Sequence, residues 1–367
     1  MNRHAAIIGA GPAGSLCAWP LAKAGWRVTL FERATFPRVK VCGEFVSPAA
    51  TDVLEEILPE AELLAAGARR IRRVELLAAG RTRQWQMPAA AWALSRASLD
   101  TLLLARAAEA GATVLSPASV RDVEYGDAGV TVRMADGDSI AADVVIHADG
   151  AGRFDPAGAV EPAPGLVGMK CHLRLPPKGD VLSMRAARGA YVGTVSVEGG
   201  LSTCALVARK SLVHAADGDG DQLLAALWPE YRPTWREGDW KASGVPRSGY
   251  RDPGHPRSFR IGNAAAAVDP VGGEGIGLAL WSGRTLGALL ANAAPEAAPL
   301  ASVQHAIAMR YRRRLRVRRL GCRVIAEIMM RPTLAALLWP VAASPEVSLR
   351  AWYGATGKGL TPPAKRV

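Results

Sequence analysis

His4-Ala5-Ala6-Ile7-Ile8-Gly9-Ala10-Gly11-Pro12-Ala13-Gly14 is the stretch that decides the fold. His4 to Gly9 is a short apolar run suited to a buried parallel strand, and the Gly9-x-Gly11-x-x-Gly14 spacing opens a helical stretch from Ala13 to Ala24. Each glycine has its own task in such a strand-turn-helix. Gly9 permits the tight turn, Gly11 lets the backbone approach a pyrophosphate, and Gly14 lets the helix pack close to the strand. The helix start around Ala13 contributes unpaired N–H groups and the positive end of a dipole. A second strand, Trp26 to Phe31, ends in Glu32 and then Arg33. A carboxylate at that strand end accepts hydrogen bonds from a ribose. Gly9, Gly11, Ala13, Gly14, Glu32 and Arg33 are therefore the expected first part of a dinucleotide site, and this part alone does not separate NAD from FAD.

Three later stretches bear on that choice. Ser95-Arg96-Ala97-Ser98-Leu99-Asp100 begins a helix with apolar residues at helical spacing, which places Arg96 at its start. Asp143 to Ala148 is an apolar strand that delivers Asp149 and Gly150 at its carboxyl end, where open α/β sheets bind ligands. Gly262-Asn263-Ala264-Ala265 leads through Asp269-Pro270-Val271-Gly272-Gly273-Glu274-Gly275-Ile276-Gly277 into a helix, Leu278 to Ala291. Small residues at this density let backbone lie against a flat ring, and the helix N-terminus can stabilise negative charge on it.

With these four motifs in this order, the chain resembles the FAD-dependent family of para-hydroxybenzoate-hydroxylase-like monooxygenases, geranylgeranyl reductases and flavin-dependent halogenases. The resemblance spans residues 1 to about 292 and implies FAD held by the dinucleotide residues above together with Arg96, Asp149, Gly150, Gly262, Asn263, Gly273, Glu274, Gly275 and Ile276. The last of these motifs departs from the family, which carries Gly-Asp where this chain has Gly262-Asn263. The loop Cys42-Gly43-Glu44 is similar to one that reductases and some halogenases of the family set beside the isoalloxazine. Cys42, Glu44 and Pro270 are accordingly the candidates for a part in catalysis, with a small packed residue as the alternative role for Cys42.

The expected architecture is α/β: a Rossmann-like FAD-binding domain, a second antiparallel-sheet substrate domain and a C-terminal helical region. Residues 1–70, 96–158 and 256–298 are assigned to the FAD-binding domain, 71–95 and 159–255 to the substrate sheet, and 299–367 to the helical region. Within the sheet, Leu166 to Leu175, Tyr191 to Val197 and Leu201 to Ala208 read as strands with Gly199-Gly200 as a hairpin turn, joined by Val74 to Leu77 and Thr82 to Gln86. Trp85, Trp92, Trp228, Trp235 and Trp240 are either core or the walls of an apolar pocket.

Composition narrows the function classes. A net charge of +12 invites a nucleic-acid reading, but no recognisable nucleic-acid module accompanies it. Five scattered cysteines with no C-x-x-C pair favour neither a disulfide framework nor a metal site, and a reducing cytoplasmic compartment is expected. The apolar start is broken by Gly9 too early for a secretory leader, and no run of about 18 apolar residues follows. Ser302 to Ile328 keeps helical spacing at Tyr311, Leu315, Val324 and Ile328, and carries nine Arg through Arg331 against Glu327. Such a helix either contacts anionic membrane peripherally or presents a solvated face while packing across the FAD domain.

The segment from Gly189 to Gly200 resembles hydroxylases that accompany type III polyketide synthases, which implies a monooxygenase acting on an apolar aromatic or polyketide-type small molecule through a flavin C4a-hydroperoxide. NAD(P)H or a reduced partner protein is the implied electron donor. The alternative is a geranylgeranyl-reductase-like ene reductase of an isoprenoid or polyketide, supported by Cys42-Gly43-Glu44 and weakened by the missing Y-x-W-x-F-P stretch. The halogenase W-x-W-x-I-P motif is reduced to Trp85-Gln86-Met87-Pro88. A reading from another class, a non-catalytic flavin- or lipid-binding interaction protein, rests on the basic helix.

Overall fold

The chain alternates between two main sheets, because two excursions from the first supply strands to the second. The computed structural model describes residues 3–150, 162–294 and 296–342. β1 (His4–Ile8) is buried along its length, α1 (Pro12–Lys23) carries Pro12 in its first turn, and β2 (Arg27–Phe31) returns parallel to β1. The chain then leaves this sheet. β3 (Phe45–Val46), short helices α2 (Thr51–Glu55) and α3 (Glu60–Ala65), and the hairpin of β4 (Arg69–Ala78) and β5 (Arg81–Ala93) precede α4 (Arg96–Glu109). The Ser95 hydroxyl accepts the Ser98 N–H and caps α4. β6 (Thr113–Leu115) rejoins the first sheet. A three-stranded meander of β7 (Val120–Tyr125), β8 (Val130–Met134) and β9 (Ser139–Ala142) leads to β10 (Val144–His147) beside β1. Nothing in the sequence reading separated that meander.

The second sheet resumes with β11 (Pro162–Leu173), β12 (Val181–Ala187), β13 (Ala190–Ser196) and β14 (Ser202–Arg209). Helices α5 (Lys210–Ala215) and α6 (Gly220–Leu227) follow, then the edge strand β15 (Arg236–Pro246). β17 (Ser258–Arg260) returns the chain to the first sheet, flanked by β16 (Gly249–Tyr250) and β18 (Ala266–Ala267), which pair with each other, and α7 (Gly275–Ala291), α8 (Ala297–Met329), α9 (Pro332–Leu337) and α10 (Trp339–Ala342) complete the described chain.

Sheet order is β17-β10-β1-β2-β6 in the first sheet, every pair parallel, so a ligand crevice opens at the strands' carboxyl ends. The second sheet runs β15-β11-β14-β13-β12-β4-β5-β3 and is antiparallel except where β12 meets β4. This is the expected mixed α/β architecture with a second sheet and C-terminal helices. The turn between β13 and β14 falls at Glu198–Gly200, as read from the glycine pair. The boundary expected at residues 158–159 and the end of the region expected over 299–367 lie outside the described residues.

α1 and α7 cross at close range because α7 carries glycine where they meet. A Cβ at Gly283 would stand 2.2 Å from the Ala13 carbonyl oxygen, and one at Gly287 2.5 Å from Pro20 Cγ. Those glycines serve helix packing, and the contact fixes the start of α7 beside the Gly9–Gly14 turn.

Alternation along the second sheet gives it two unlike faces. Met169, Cys171, Val192, Cys204 and Leu206 point to one side and pack under α6 with Leu223, Leu224 and Tyr231. In the register Lys170↔Ala205↔Gly193↔Met184, the other side turns toward the first domain. Of the two roles open to the tryptophans, packing is the one found. Trp228, Trp235 and Trp240 sit with the α6 cluster on the far face, and Trp92 is fully buried, donating from Nε1 to Glu55 under the Arg70 guanidinium. They do not wall one pocket, because Trp228, Trp235 and Trp240 pack with α6 on the far face while Trp92 is buried in a separate core with Leu54 and Leu58.

Candidate active site

The turn after β1 is built for close approach. Gly9 has φ +101°, and a Cβ there would stand 2.6 Å from the Ala148 carbonyl oxygen at the end of β10; at Gly14 it would stand 1.9 Å from the Gly9 oxygen. Gly11 is different. Its Cβ would meet only Arg38 Nη2 at 3.5 Å and Arg96 Nη2 at 3.8 Å, so this side of the turn faces positive charge. No side chain caps α1, which leaves its first N–H groups, near Ala13, for an anion. Gly262 completes the junction, where a Cβ would lie 2.9 Å from Ala13 Cβ.

Glu32, at the end of β2, is buried and already has partners. Its Oε2 accepts from the Ala10 N–H at 3.1 Å and from Arg38 Nη2 at 3.3 Å, and its Oε1 from the Ala34 N–H at 3.1 Å. Arg33 is exposed. Arg38, not singled out from the sequence, lies between Glu32 and Asp100, the latter 3.4 Å away. Its Nε and Nη1 are buried with no hydrogen-bond partner. Burial, opposed by Asp100 and Glu32 and helped by Arg96 and Arg33, pushes the Arg38 pKa down; burial and Arg38 do the same to Lys40. An orphaned buried guanidinium beside the open side of Gly11 is the environment that a diphosphate would satisfy, so the residues present fit the pyrophosphate of FAD. The available signal was Arg33, Arg38 and Lys40 crowded just after the acidic strand end.

Arg96 starts α4 and is locked by Asp100, Nε to Oδ1 at 2.6 Å and Nη2 to Oδ2 at 2.7 Å. Burial disfavours its charge, but the Asp100 carboxylate outweighs that and the net pKa shift is upward. Arg96 thus stands between the Gly11 turn and Cys42. Cys42 is half-buried, its Sγ accepts the Glu44 N–H at 3.3 Å, and burial pushes its thiol pKa up while Arg96 opposes.

Glu44 is the hub of this loop. Its Oε1 accepts from the Arg96 N–H at 2.8 Å and from Lys170 Nζ at 2.6 Å; its Oε2 meets His172 Nε2 at 2.8 Å and accepts from the Thr203 hydroxyl. The side chains of Glu44 and Lys170 are both 1% exposed. Burial alone would raise the carboxyl pKa, but His172, Lys170 and the Arg96 N–H together bring it down to about 2. Lys170 and His172 lie on β11, with Thr203 opposite on β14. The Cys42 loop is therefore fastened to β11 and β14 of the second sheet through one buried carboxylate. None of these three partners was legible locally, since each lies more than 120 residues from Glu44.

The last motif faces the same space. Asn263 is half-buried and its carbonyl accepts from Arg251 Nη1 at 3.0 Å. Asp149 and the positive-φ Gly150 follow β10 beside the Gly9 turn. Asp269 accepts from the Val271 N–H at 3.1 Å and from the Tyr191 hydroxyl at 2.8 Å, and burial raises its pKa against both bonds. Pro270 and Gly275 are exposed. A Cβ at Gly273 would touch Phe45 of the Cys42 loop at 2.9 Å. Glu274 is buried and turned to the Ser47 hydroxyl at 3.1 Å and Arg318 at 3.3 Å, while Ile276 packs in the core with Leu16.

Comparison with known proteins agrees with this geometry. Residues 3–153 match the family described as FAD binding domain. Menaquinone reductase of Mycolicibacterium smegmatis is 29% identical over 326 residues, covering 79% of this chain and 77% of that protein. The geranylgeranyl bacteriochlorophyll reductase-like protein of Thermoplasma acidophilum superposes with a TM-score of 0.81 at 20% identity, covering 98% of this chain and 97% of that one. PqsL of Pseudomonas aeruginosa, described as a probable FAD-dependent monooxygenase, superposes with a TM-score of 0.76 at 18% identity, covering 93% and 100%.

Proposed function

We propose that this FAD-dependent oxidoreductase, whose residues 3–153 carry the FAD binding domain, is a monooxygenase that hydroxylates an apolar aromatic or polyketide-type substrate. One atom of dioxygen enters a carbon–hydrogen bond as hydroxyl and the other leaves as water; the two electrons come from NAD(P)H or a reduced partner protein. Bound FAD would carry those electrons to dioxygen and supply the oxygen-transfer chemistry. The chain's own residues position and exclude water. Arg38 and the α1 N-terminus would hold the pyrophosphate, and the Asp269–Gly275 turn, gripped by Tyr191 and Phe45, would lie along the ring system. The sheet face opposite carries Met184, Gly193, Val195 and Ala205, an apolar wall that keeps water from the reacting carbon.

The observation that carries this reading is that Glu44, the carboxyl of the Cys42 loop, is fully engaged: its oxygens accept from the Arg96 N–H, Lys170 and the Thr203 hydroxyl and meet His172. Reduction of a carbon–carbon double bond needs a proton donor beside the hydride acceptor, and a carboxylate held by four such partners, its pKa lowered, against burial, by His172 and Lys170, is not placed as one. Hydroxylation of an electron-rich ring makes no such demand of it. A second reading, an ene reductase, is favoured by Cys42, whose thiol burial keeps protonated beside Arg96, and by the likeness to menaquinone reductase. The test is product mass after FAD-loaded protein receives NADPH, air and a panel of alkylphenols, polyketides and polyenes. A gain of one oxygen is expected. A gain of two hydrogens that is lost in Cys42→Ser would overturn the monooxygenase reading in favour of the second.

A further inference from the structure

α8 is a helix of 33 residues, and its two sides have different partners. Toward the protein, Tyr311, Leu315, Cys322, Ala326 and Met329 are buried, with Arg314 over the Trp281 ring and Arg318 on Glu274. Arg312 pairs with Asp252 and Arg331 with Glu327. Val324, expected on the inward stripe, is 49% exposed, because the buried stripe passes through Cys322 and Ala326 instead.

The outward side interleaves two chemistries. Met309, Val317, Leu320 and Val324 are exposed at 51%, 42%, 69% and 49%, and Leu337 of the neighbouring α9 at 75%. Among them Arg310, Arg313, Arg316, Arg319 and Arg323 are exposed, and among the described residues none pairs with a carboxylate. Residues 309, 313, 316, 320 and 324 recur at helical spacing and share one face. Large exposed apolar side chains are otherwise represented, among the described residues, by Val39, Leu64 and Leu338, the last adjoining Leu337. The apolar surface is thus concentrated where the unpaired arginines are.

We infer that this outward face of α8, with the end of α9, docks on an anionic lipid bilayer, the apolar side chains entering the headgroup boundary and the arginines meeting lipid phosphates. Charge decides among occupants. A symmetric contact with a second copy would set one arginine row against another, and a nucleic-acid surface offers nothing to Leu320, Val324 and Leu337. An anionic lipid surface satisfies both components. Because Arg318 and Arg314 fix the opposite side of α8 near Glu274, docking would anchor the helix that backs the Gly-rich turn. The inference does not depend on which reaction the site performs.

Cosedimentation of the full-length, FAD-loaded protein with vesicles is the test. Binding is expected to phosphatidylcholine vesicles containing one quarter phosphatidylglycerol, not to phosphatidylcholine alone, and should weaken as salt rises from 50 to 500 mM. Arg313→Ala and Arg316→Ala should each weaken binding about fivefold. Leu320→Glu should abolish it, whereas Leu64→Glu, on another surface, should not. All four side chains are exposed, so an unchanged flavin spectrum and melting temperature will show that the variants fold. The inference is overturned if anionic vesicles do not bind, if Leu320→Glu binds as wild type, if Leu320→Glu only dissociates an oligomer, or if duplex DNA binds and anionic vesicles do not.

Discussion

Glu44→Gln is the perturbation with the most calculable outcome. The carboxylate and Lys170 are each 1% exposed, and the pair ties the Cys42 loop to β11 of the second sheet. Lowering the carboxyl pKa from 4.5 to about 2 corresponds to about 3 kcal/mol of native-state stability, at about 1.4 kcal/mol per pH unit. Removing one member of a buried ion pair costs about 3–5 kcal/mol by a separate route, since the ammonium left behind has no counter-charge. The two figures agree in size. Because the folded carboxyl titrates below the unfolded one, the stabilisation is complete above about pH 4.5 and fades as pH falls toward 2. Urea unfolding of wild type and Glu44→Gln at pH 7 should therefore differ by about 3 kcal/mol with little change in slope, and the difference should shrink below pH 4.5. Adding Lys170→Met to Glu44→Gln should recover part of the loss, because the second change removes the stranded charge. A Glu44→Gln protein within about 0.5 kcal/mol of wild type at pH 7, or a difference that is flat down to pH 3, would refute the argument that Glu44 is an ionised anchor.

Further outcomes follow from the same geometry. Gly11→Ala should fold with a wild-type melting temperature, since its Cβ meets only the tips of two arginines, yet bind FAD at least about tenfold more weakly; Gly14→Ala should fail to fold, because its Cβ would overlap the Gly9 carbonyl. Soluble yield and flavin titration of apoprotein separate the two, and equal behaviour would sink the distinction. Arg38→Met should weaken FAD binding about 10- to 100-fold, with a smaller dependence on salt than wild type, as read from dissociation constants at several ionic strengths. Tyr191→Phe removes a donor that lowers the Asp269 pKa, so any pH-dependent transition in the bound flavin's spectrum that reports Asp269 should move to higher pH; an unmoved transition would detach Asp269 from the flavin.

The parallel sheet and the nucleotide turn were set by the sequence itself, because their causes are local. Gly9, Gly11 and Gly14 act within one strand-turn-helix, and an apolar run of five residues is sufficient for β1. The alternating strands of the second sheet were legible for the same reason, each pleat signalling in two residues. What tertiary structure alone decided is which distant groups share a space. Glu44 acquires its charge state from His172 and Lys170, brought over by strand register, and from the Arg96 N–H. Arg38 comes to face Gly11 only when Glu32 and Asp100 pin it there. The tryptophans fall into separate cores because α6 and the turn after it pack on the far face of the sheet, and the basic helix divides into an inward and an outward set only when Glu274 captures Arg318. Spacing along a chain fixes local geometry, whereas burial, and with it every electrostatic consequence of burial, depends on what the rest of the fold lays on top.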